Sequence, residues 1–128
     1  QMAFAYARAT TPRACVTLRK SYGGAYIVMD SRYMGNDVML AWPTAEIAVM
    51  GAKGAVEILH REANEKEREE LISNYEDRLL NPYIAAERGT VDRVIDPAHT
   101  RIELIKALDM LTGKREKLPR RRHDNTPL

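Results

Sequence analysis

The sequence predicts an α/β fold with short strands that pair largely in parallel. Short apolar runs, several of them rich in β-branched residues, recur at 14–18, 38–42 and 46–50. Segments with helical spacing separate most of these runs and give the predicted order α-β-α-β-β-α-α-α-β-α. Short helical crossovers between strands favour parallel pairing, because the chain must return to the same end of the sheet.

Length and composition indicate one soluble globular domain. A chain of 128 residues is long enough to bury its own core, and 45% of its residues are hydrophobic while 30% are charged. No apolar run approaches the roughly 20 residues of a membrane span, so no membrane partner is expected. Cys15 is the only cysteine, which excludes an internal disulfide and fits a reducing compartment.

The two termini differ from the body of the chain. The N-terminus lacks the basic start of a signal peptide and lies inside an amphipathic pattern from Gln1 onward, so we expect a fragment of a longer chain. Residues 114–128 hold six basic and two acidic residues, a net +4, which leaves −2 for the rest of a chain of net charge +2. We divide the chain into a domain over 1–113 and a basic tail over 114–128. The tail could contact nucleic acid or an acidic partner, but it has no interleaved aromatic residues, and a solvated tail without a nucleic-acid partner is the preferred interpretation.

The N-terminal third is predicted to alternate between helix and strand. A helix over 1–10 stops before Pro12, whose ring disfavours helical backbone at the preceding residue. The remaining predictions for this third are a strand over 14–19, a turn at Gly23-Gly24, a helix from 25 to about 34, and a loop over 35–37.

The middle third is predicted to contain two strands and two helices. The strands cover 38–42 and 46–50, and a helix opened by Gly51 runs from 52 to about 61. Residues 62–70 are nearly all charged and lead into a second helix that ends at Asn81-Pro82. On that helix Leu71, Tyr75 and Leu79 stand four apart, so they form one apolar stripe on an otherwise solvated surface.

The C-terminal third is predicted to be helix, strand and helix. A short helix over 83–88 is closed by Gly89, and residues 90–95 alternate between polar and apolar like a strand with one wet face. Asp96 can cap the last helix, with Pro97 as its first residue. The face predicted to be buried consists of Ile102, Ile105, Leu108 and Leu111, and Gly113 ends the helix.

The turn at Gly23-Gly24 is the first candidate for chemistry. Two residues without Cβ allow a tight turn and the close approach of another group. A strand, a glycine turn and a helix start together expose backbone N–H groups that have no partner within the helix. Such a site binds an anion, or an oxygen that becomes anionic during a reaction, although an ordinary structural turn has the same pattern.

Four stretches resemble one family, the carboxyltransferase (β) subunits of biotin-dependent acyl-CoA carboxylases such as acetyl-CoA and propionyl-CoA carboxylases. They are K-S-Y-G-G-A-Y-I-V-M at 20–29, A-W-P-T-A-E-I-A-V-M-G-A-K-G-A-V-E-I-L at 41–59, N-P-Y-I-A-A-E-R-G-T-V-D-R-V-I-D-P at 81–97, and R-R-H-D-N-T-P-L at 121–128. The resemblance covers essentially the whole chain and implies the C-terminal half of a much longer subunit. It also implies a crotonase-like spiral of ββα units, which matches the strand–strand–helix order predicted over 38–61.

The resemblance implies transfer of a carboxyl group from N-carboxybiotin to the α-carbon of a short-chain acyl-CoA, acetyl- or propionyl-CoA. The ureido oxygen of biotin and the thioester oxygen both gain negative charge, and each needs preorganised hydrogen-bond donors. By the same resemblance, the backbone N–H groups of Gly24 and Ala25 match the biotin-side oxyanion hole, while Gly23, Gly24, Ala25 and Tyr26 match the biotin-binding residues. No side-chain general base is expected, because the biotin nitrogen can take the α-proton.

Ile27 is the residue that bears on the choice of acyl group. In family members that act on propionyl-CoA this position is commonly Asp, and Ile is similar to members that favour acetyl-CoA. The resemblance therefore implies an acyl pocket at Ile27 for a short, straight acyl group. The other interpretation is that Ile27 is only a core residue.

The resemblance also implies partners. They are carboxybiotin on a carrier protein, a biotin carboxylase or biotin carboxyl carrier subunit, the acyl-CoA, and further copies of the subunit, usually in a hexamer. No metal is expected in this half, since His60, His99 and His123 are scattered. The implied location is the cytoplasm, or the mitochondrial matrix in a eukaryote. The alternatives are an isolated biotin-binding or oligomerisation half-domain without turnover, and a subunit of a biotin-dependent acyl-CoA decarboxylase.

Overall fold

The computed structural model describes residues 2–115 and 117. Its helices are α1 (Met2–Arg8), α2 (Gly23–Val28), α3 (Ala52–Leu59), α4 (Glu65–Leu79), α5 (Pro82–Glu87) and α6 (Thr100–Met110). Its strands are β1 (Ala14–Thr17), β2 (Lys20–Tyr22), β3 (Val38–Ala41), β4 (Glu46–Ala48) and β5 (Arg93–Val94). Two 3-10 turns, Arg32–Met34 and Pro97–His99, complete the described elements.

All described strand pairs are parallel and form two sheets. The larger sheet has the order β1-β3-β5, and the smaller sheet pairs β2 with β4. The chain therefore repeats one pattern: β1, β2 and α2 form a first ββα unit, and β3, β4 and α3 form a second. This confirms the predicted α/β class, the parallel pairing and the spiral of ββα units.

Strand β3 is the centre of the core because it is buried on both faces. Met39 and Ala41 face a cluster with Ala45, Ala85 and Val91, while Val38 and Leu40 face Ile95 and Ala107. A strand covered on both sides needs a continuous apolar run rather than alternation, and the run over 38–42 has that composition.

Strand β2 was not predicted. Its sequence, Lys20-Ser21-Tyr22, has no apolar run and no alternation of polar and apolar residues, so hydrophobic periodicity gives no signal for a strand here. It is a strand because it pairs with β4, and because the Tyr22 hydroxyl donates to the Glu46 carboxylate on that neighbour. The prediction of one strand over 14–19 thus merged β1 with a connection into a second strand.

Helix α2 is displaced and shorter than predicted. It begins at Gly23 instead of 25 and ends at Val28 instead of about 34. Asp30 takes a positive φ of 61°, and the Ser31 hydroxyl donates to the Ile27 carbonyl at 2.9 Å, so the chain turns out of the helix there. The Arg13 guanidinium holds the Asp30 carboxylate at 2.7 Å and fixes this exit.

Strand β5 covers only part of the predicted 90–95. The Thr90 amide and hydroxyl both donate to the Ala85 carbonyl, which ties this residue to the end of α5. The Asp92 carboxylate accepts from the Met39 N–H at 2.7 Å, so a side chain replaces one bond of the sheet ladder.

The predicted buried face of α6 was wrong except at Leu111, which is half-buried and packs against the core just after the helix. Glu103 and Ala107 are the buried residues of this helix, whereas Ile102, Ile105 and Leu108 are 46%, 44% and 46% exposed. Glu103 can turn inward because its carboxylate pairs with Arg93 and with Lys106, which satisfies a charge that would otherwise be costly to bury. The apolar stripe is left without cover from the described residues.

The remaining helices agree with the predictions to within a few residues. A capping box between Asn64 and Glu67 starts α4, on which Leu71 and Tyr75 are half-buried and Leu79 is largely exposed. Helix α5 starts one residue earlier than predicted, with Pro82 as its first residue and Asn81 as its cap.

Most of the predicted basic tail lies outside the described residues. Lys114, where the tail was predicted to begin, places its ammonium group 2.9 Å from the Asp37 carboxylate and so ties the end of α6 to the loop before β3. This contact and a hydrogen bond from the Arg13 N–H hold the pKa of Asp37 below its usual value, although burial works in the opposite direction. Among the helices that the structure describes, none is both long and apolar enough to cross a membrane.

Candidate active site

The candidate site lies where the smaller sheet ends. Tyr22 pairs in register with Ala48, so β2 and β4 end at the same edge. The chain leaves β2 directly into α2 and leaves β4 through Val49 towards α3. In parallel sheets the carboxyl ends of neighbouring strands are where ligands bind.

Gly23 is required by the geometry of this edge. Its φ is +59°, and a Cβ at this position would lie 2.9 Å from the Val49 carbonyl oxygen. A side chain would therefore be strained and would also push against the end of β4. The absence of a Cβ lets α2 start directly beside its neighbouring strand.

The first turn of α2 presents backbone donors to the outside. Its N-cap residue, Tyr22, makes no side-chain capping bond. Gly24 and Ala25 are exposed, and the N–H groups of a first helical turn have no partner within the helix. A Cβ on Gly24 would meet no atom within 4 Å, so open space lies beside it.

A pocket of about 360 Å³ adjoins this turn. It is lined by Gly23, Gly24, Tyr26 and Ile27, four of the five residues predicted to form the site. Ala25 does not line the pocket but is exposed beside it on the same turn. Ile27 is 43% exposed, so it is available to a ligand and is not a core residue.

The rest of the pocket wall was not predicted. Its members come from the 3-10 turn Arg32–Met34, from the end of β4 and from the segment between the end of α4 and Thr90, and they include Tyr33, Ile47, Ala48, Val49, Leu79, Ile84, Arg88 and Thr90. The stretch N-P-Y-I-A-A-E-R-G was recognised for its resemblance but interpreted only as a capped helix. The sequence could not place the end of β4 here, because β2, the strand that pairs with β4, was not predicted.

The pocket is mainly apolar, with one charged group. Among the described lining residues, Arg88 is the only charged side chain. Burial raises the pKa of the Tyr26 phenol, so the phenol is neutral at physiological pH. The Tyr26 hydroxyl oxygen is buried without a hydrogen-bond partner in the described part of the chain.

Tyr22 supports the site from behind. Burial and the hydrogen bond to Glu46 raise the pKa of Tyr22 to about 12. The phenol therefore keeps its proton and continues to donate to the Glu46 carboxylate, which holds β2 against β4. This contact keeps the start of α2 next to the end of β4.

No metal centre is present in the part of the chain that the structure describes, since no three His, Cys, Asp or Glu residues are grouped there. His60 and His99 are exposed and separate from the pocket, and His123 lies outside the described residues.

A biotin ring fits the character of this pocket. Its volume lies within the roughly 300–1,000 Å³ typical of small-molecule sites. The open space beside Gly24 would bring a ureido oxygen next to backbone donors, and the apolar wall at Ile47 and Val49 suits a hydrocarbon ring system.

The parallel ββα spiral, with helix-start amides beside a pocket at its edge, defines a crotonase-like fold. Comparison with known proteins makes this specific. The model of the carboxyl transferase domain family matches residues 1–126, and the chain belongs to that family.

Individual relatives agree with this assignment. The chain is 54% identical to the propionyl-CoA carboxylase β chain of Saccharopolyspora erythraea, over 100% of this chain and 25% of that protein. It is 53% identical to the biotin-dependent acetyl-/propionyl-coenzyme A carboxylase β5 subunit of Mycobacterium leprae, with the same coverage. Among solved structures, a 12S transcarboxylase described as a hexamer with bound methylmalonyl-coenzyme A matches with a TM-score of 0.93 and 47% identity, over 99% of this chain and 25% of that one. The chain thus spans about a quarter of the length of these relatives.

Proposed function

We propose that this chain is the biotin-side part of a carboxyltransferase subunit. The full-length subunit moves a carboxyl group from N-carboxybiotin to the α-carbon of a short-chain acyl-CoA, with acetyl- and propionyl-CoA as the candidate substrates. The observation that carries the proposal is the exposed first turn of α2, where the Gly24 and Ala25 amides stand beside a pocket and Gly24 leaves open space.

In this proposal the chain's own contribution is electrostatic. Carboxybiotin supplies the carboxyl group, and its ureido oxygen gains negative charge as that group leaves. The Gly24 and Ala25 N–H groups are fixed by the helix and need no reorganisation to donate to such an oxygen. Loss of one donor of this kind typically lowers the rate by about 10²–10³. Gly23 and Tyr26 shape the pocket around the ring.

Ile27 is proposed as a contact for the acyl group. It lies one turn into α2, lines the same pocket and is partly exposed. A branched apolar side chain favours a short hydrocarbon and disfavours a charged or hydrated group. This supports a hydrocarbon acyl group, such as that of acetyl- or propionyl-CoA, over a polar one.

The wider assembly is also proposed. A carrier protein bearing biotin would deliver the ring to the pocket, and a biotin carboxylase would load it. The 12S transcarboxylase is described as a hexamer, and we propose a homo-oligomer for the full-length subunit as well. Its position in the C-terminal half and a cytoplasmic or mitochondrial-matrix location remain predictions from the resemblance. Turnover in the decarboxylase direction would use the same donors.

The test is a Gly24→Pro variant of the full-length subunit. Proline removes the N–H at a first-turn position, where the helix itself does not use it. Carboxyl transfer should fall by about 10²-fold or more, while acyl-CoA binding should stay nearly unchanged. Gly24→Ala is the matched control, since it keeps the N–H and its Cβ has room.

Both variants must be folded and assembled, as checked by circular dichroism and by size-exclusion chromatography with light scattering. A folded Gly24→Pro enzyme with transfer within about threefold of the parent would show that this N–H is not a donor to the reacting oxygen. Assaying the parent in both directions, with acyl-CoA and with carboxylated acyl-CoA, separates a carboxylase from a decarboxylase.

A further inference from the structure

Arg88 brings a positive charge to the pocket. Within the described residues its side chain makes no ion pair and no hydrogen bond. The residue is exposed and lines the same pocket as Gly24 and Ile27. No acidic residue lines this pocket in the described part of the chain, so no carboxylate there competes for the guanidinium.

The backbone that carries Arg88 is held in place at both ends of α5. The Asn81 side chain accepts from the Tyr83 and Ile84 N–H groups and caps the start of the helix. At the other end the Arg88 N–H donates to the Ile84 carbonyl at 3.1 Å. Gly89 then turns the chain with a φ of +74°.

The far side of α5 anchors this arrangement in the core. Ala85 is 5% exposed and packs against Val91 and Met39, and Thr90 donates to its carbonyl from both amide and hydroxyl. The backbone at Arg88 is therefore held in place by hydrogen bonds and core packing at the end of α5. A guanidinium suits an oxygen anion, because its N–H groups form a planar fork that matches a carboxylate.

We infer that Arg88 is a substrate-binding residue that recognises the carboxylate of the group being transferred. This inference rests on the proposed function, which places an anionic carboxyl group in this pocket. The amides at Gly24 and the guanidinium at Arg88 then have separate tasks: the amides bind the ring oxygen, and Arg88 binds the charged group that the ring carries.

A binding experiment tests the inference without turnover. Two probes are titrated into the full-length subunit by calorimetry: neutral biotin amide, and a stable N1′-acyl biotin amide that bears a phosphonate in place of the labile carboxylate. The parent should bind the anionic probe more tightly. Arg88→Met should lose at least about tenfold of affinity for the anionic probe, the scale of one hydrogen bond to a charged group, and little for the neutral probe.

Two further variants control for general effects of charge. Arg88→Lys keeps the charge without the fork and should retain part of the preference for the anionic probe. Arg101→Met removes the same charge from α6, where the residue is exposed and does not line the pocket, and should change neither affinity. An equal loss in Arg88→Met and Arg101→Met would overturn the inference, because it would reduce the effect to net charge.

The phosphates of CoA are the competing source of negative charge. KM values for acyl-CoA and for the corresponding acyl-pantetheine, which lacks those phosphates, show whether Arg88 binds the CoA phosphates or the carboxylate that is transferred. A rise in KM for acyl-CoA alone in Arg88→Met would assign the residue to CoA and overturn the carboxylate assignment. Parent protein that binds neither biotin probe and transfers no carboxyl group would refute the proposed function itself. An unchanged preference in Arg88→Met, beside an active parent, would refute only the role of Arg88.

Discussion

Gly23 and Gly24 are adjacent glycines with different reasons to be glycine. At Gly23 the positive φ excludes a side chain, and so does the Val49 carbonyl oxygen, which lies 2.9 Å from the point that a Cβ would occupy. At Gly24 the backbone is ordinary and the neighbouring space is empty. The sequence alone predicted a turn and an anion-binding site at this pair of glycines. It could not show that Gly23 is needed for the turn and Gly24 for the open space, because the contact with the end of β4 comes from residues that are remote in sequence.

This difference predicts opposite effects of two alanine substitutions in the full-length subunit. Gly23→Ala should destabilise the fold by about 1–3 kcal/mol, because it adds strain at a positive φ and a backbone clash. Gly24→Ala should be neutral or stabilising by up to about 1 kcal/mol, because its Cβ fits and alanine favours helix. Thermal unfolding of the two variants under the same conditions measures the difference in their stability. Equal melting temperatures would contradict this account of Gly23.

Tyr22 predicts a dependence of stability on alkaline pH. Its pKa is raised from 10.0 to about 12 in the folded protein, so the proton is held more tightly than in the unfolded chain. The stabilisation is complete below pH 10 and is lost as the pH rises through 12. Tyr22→Phe should therefore be less stable than the parent at neutral pH by about 0.5–1.5 kcal/mol, and the difference should vanish at high pH.

Melting temperatures measured from neutral to strongly alkaline pH check this expectation. Tyr83→Phe is the matched control, since Tyr83 is 59% exposed and its hydroxyl donates to no described group. If the difference in melting temperature between the parent and Tyr22→Phe stayed constant through pH 12, the hydrogen bond to Glu46 would not be the cause of that difference.

At the scale of elements, strands with an apolar run or with alternation were found, whereas β2, which has neither, was missed. β3 has four consecutive buried residues, and its composition alone was sufficient to predict it. β2 is polar, and it exists because of Glu46 and the register with β4, neither of which is local information. The end of α2 was misplaced for a similar reason, since Arg13, far from α2 in sequence, fixes the conformation of Asp30.

Helix α5 depends on its cap, which predicts a local effect of Asn81→Ala. Two N–H groups lose their acceptor, at a typical cost of about 1 kcal/mol. Amide hydrogen exchange in the full-length subunit should become faster over 82–91, the segment that carries Arg88. Because the Asn81 side chain also donates to the Asp77 carbonyl, the last turn of α4 should exchange faster as well, while the earlier turns of α4 should stay unchanged.

Asn74→Ala is the control for this experiment. Asn74 donates from an exposed position to the Glu70 carbonyl within α4 and caps no helix. Faster exchange over 82–91 in both variants would show that the effect is global, and unchanged exchange in Asn81→Ala would show that the cap does not hold the helix.

The whole molecule explains the failed prediction for α6. Periodicity correctly found an apolar stripe at Ile102, Ile105 and Leu108, but it cannot say what covers a stripe. The described residues leave it about half exposed, and the chain spans 25% of its relatives. We expect the remainder of a longer subunit, or another copy, to cover it. The pocket wall was only partly predicted because α5 and the end of β4 meet α2 through tertiary packing alone.

At this scale we predict that the 128-residue chain alone does not transfer carboxyl groups. Its described residues place one glycine turn with donors at the pocket, whereas the reaction develops charge on two oxygens. The measurement is incubation of the purified chain with carboxybiotin and acetyl- or propionyl-CoA, with mass-spectrometric detection of carboxylated acyl-CoA. The full-length subunit is the positive control, and product formed by the short chain would contradict the prediction.

The unequal roles of Gly23 and Gly24 have a consequence for inheritance. In a cell with two copies of the gene, a missense allele that enlarges Gly23 would lower the amount of folded subunit, because the misfolded product would be degraded and the intact copy would compensate. An allele that places a larger residue at Gly24 would yield normal amounts of folded subunit with an obstructed pocket. In a homo-oligomer such subunits would assemble beside intact ones and occupy their places. The first allele would thus be recessive, while the second could reduce the output of a mixed complex below half.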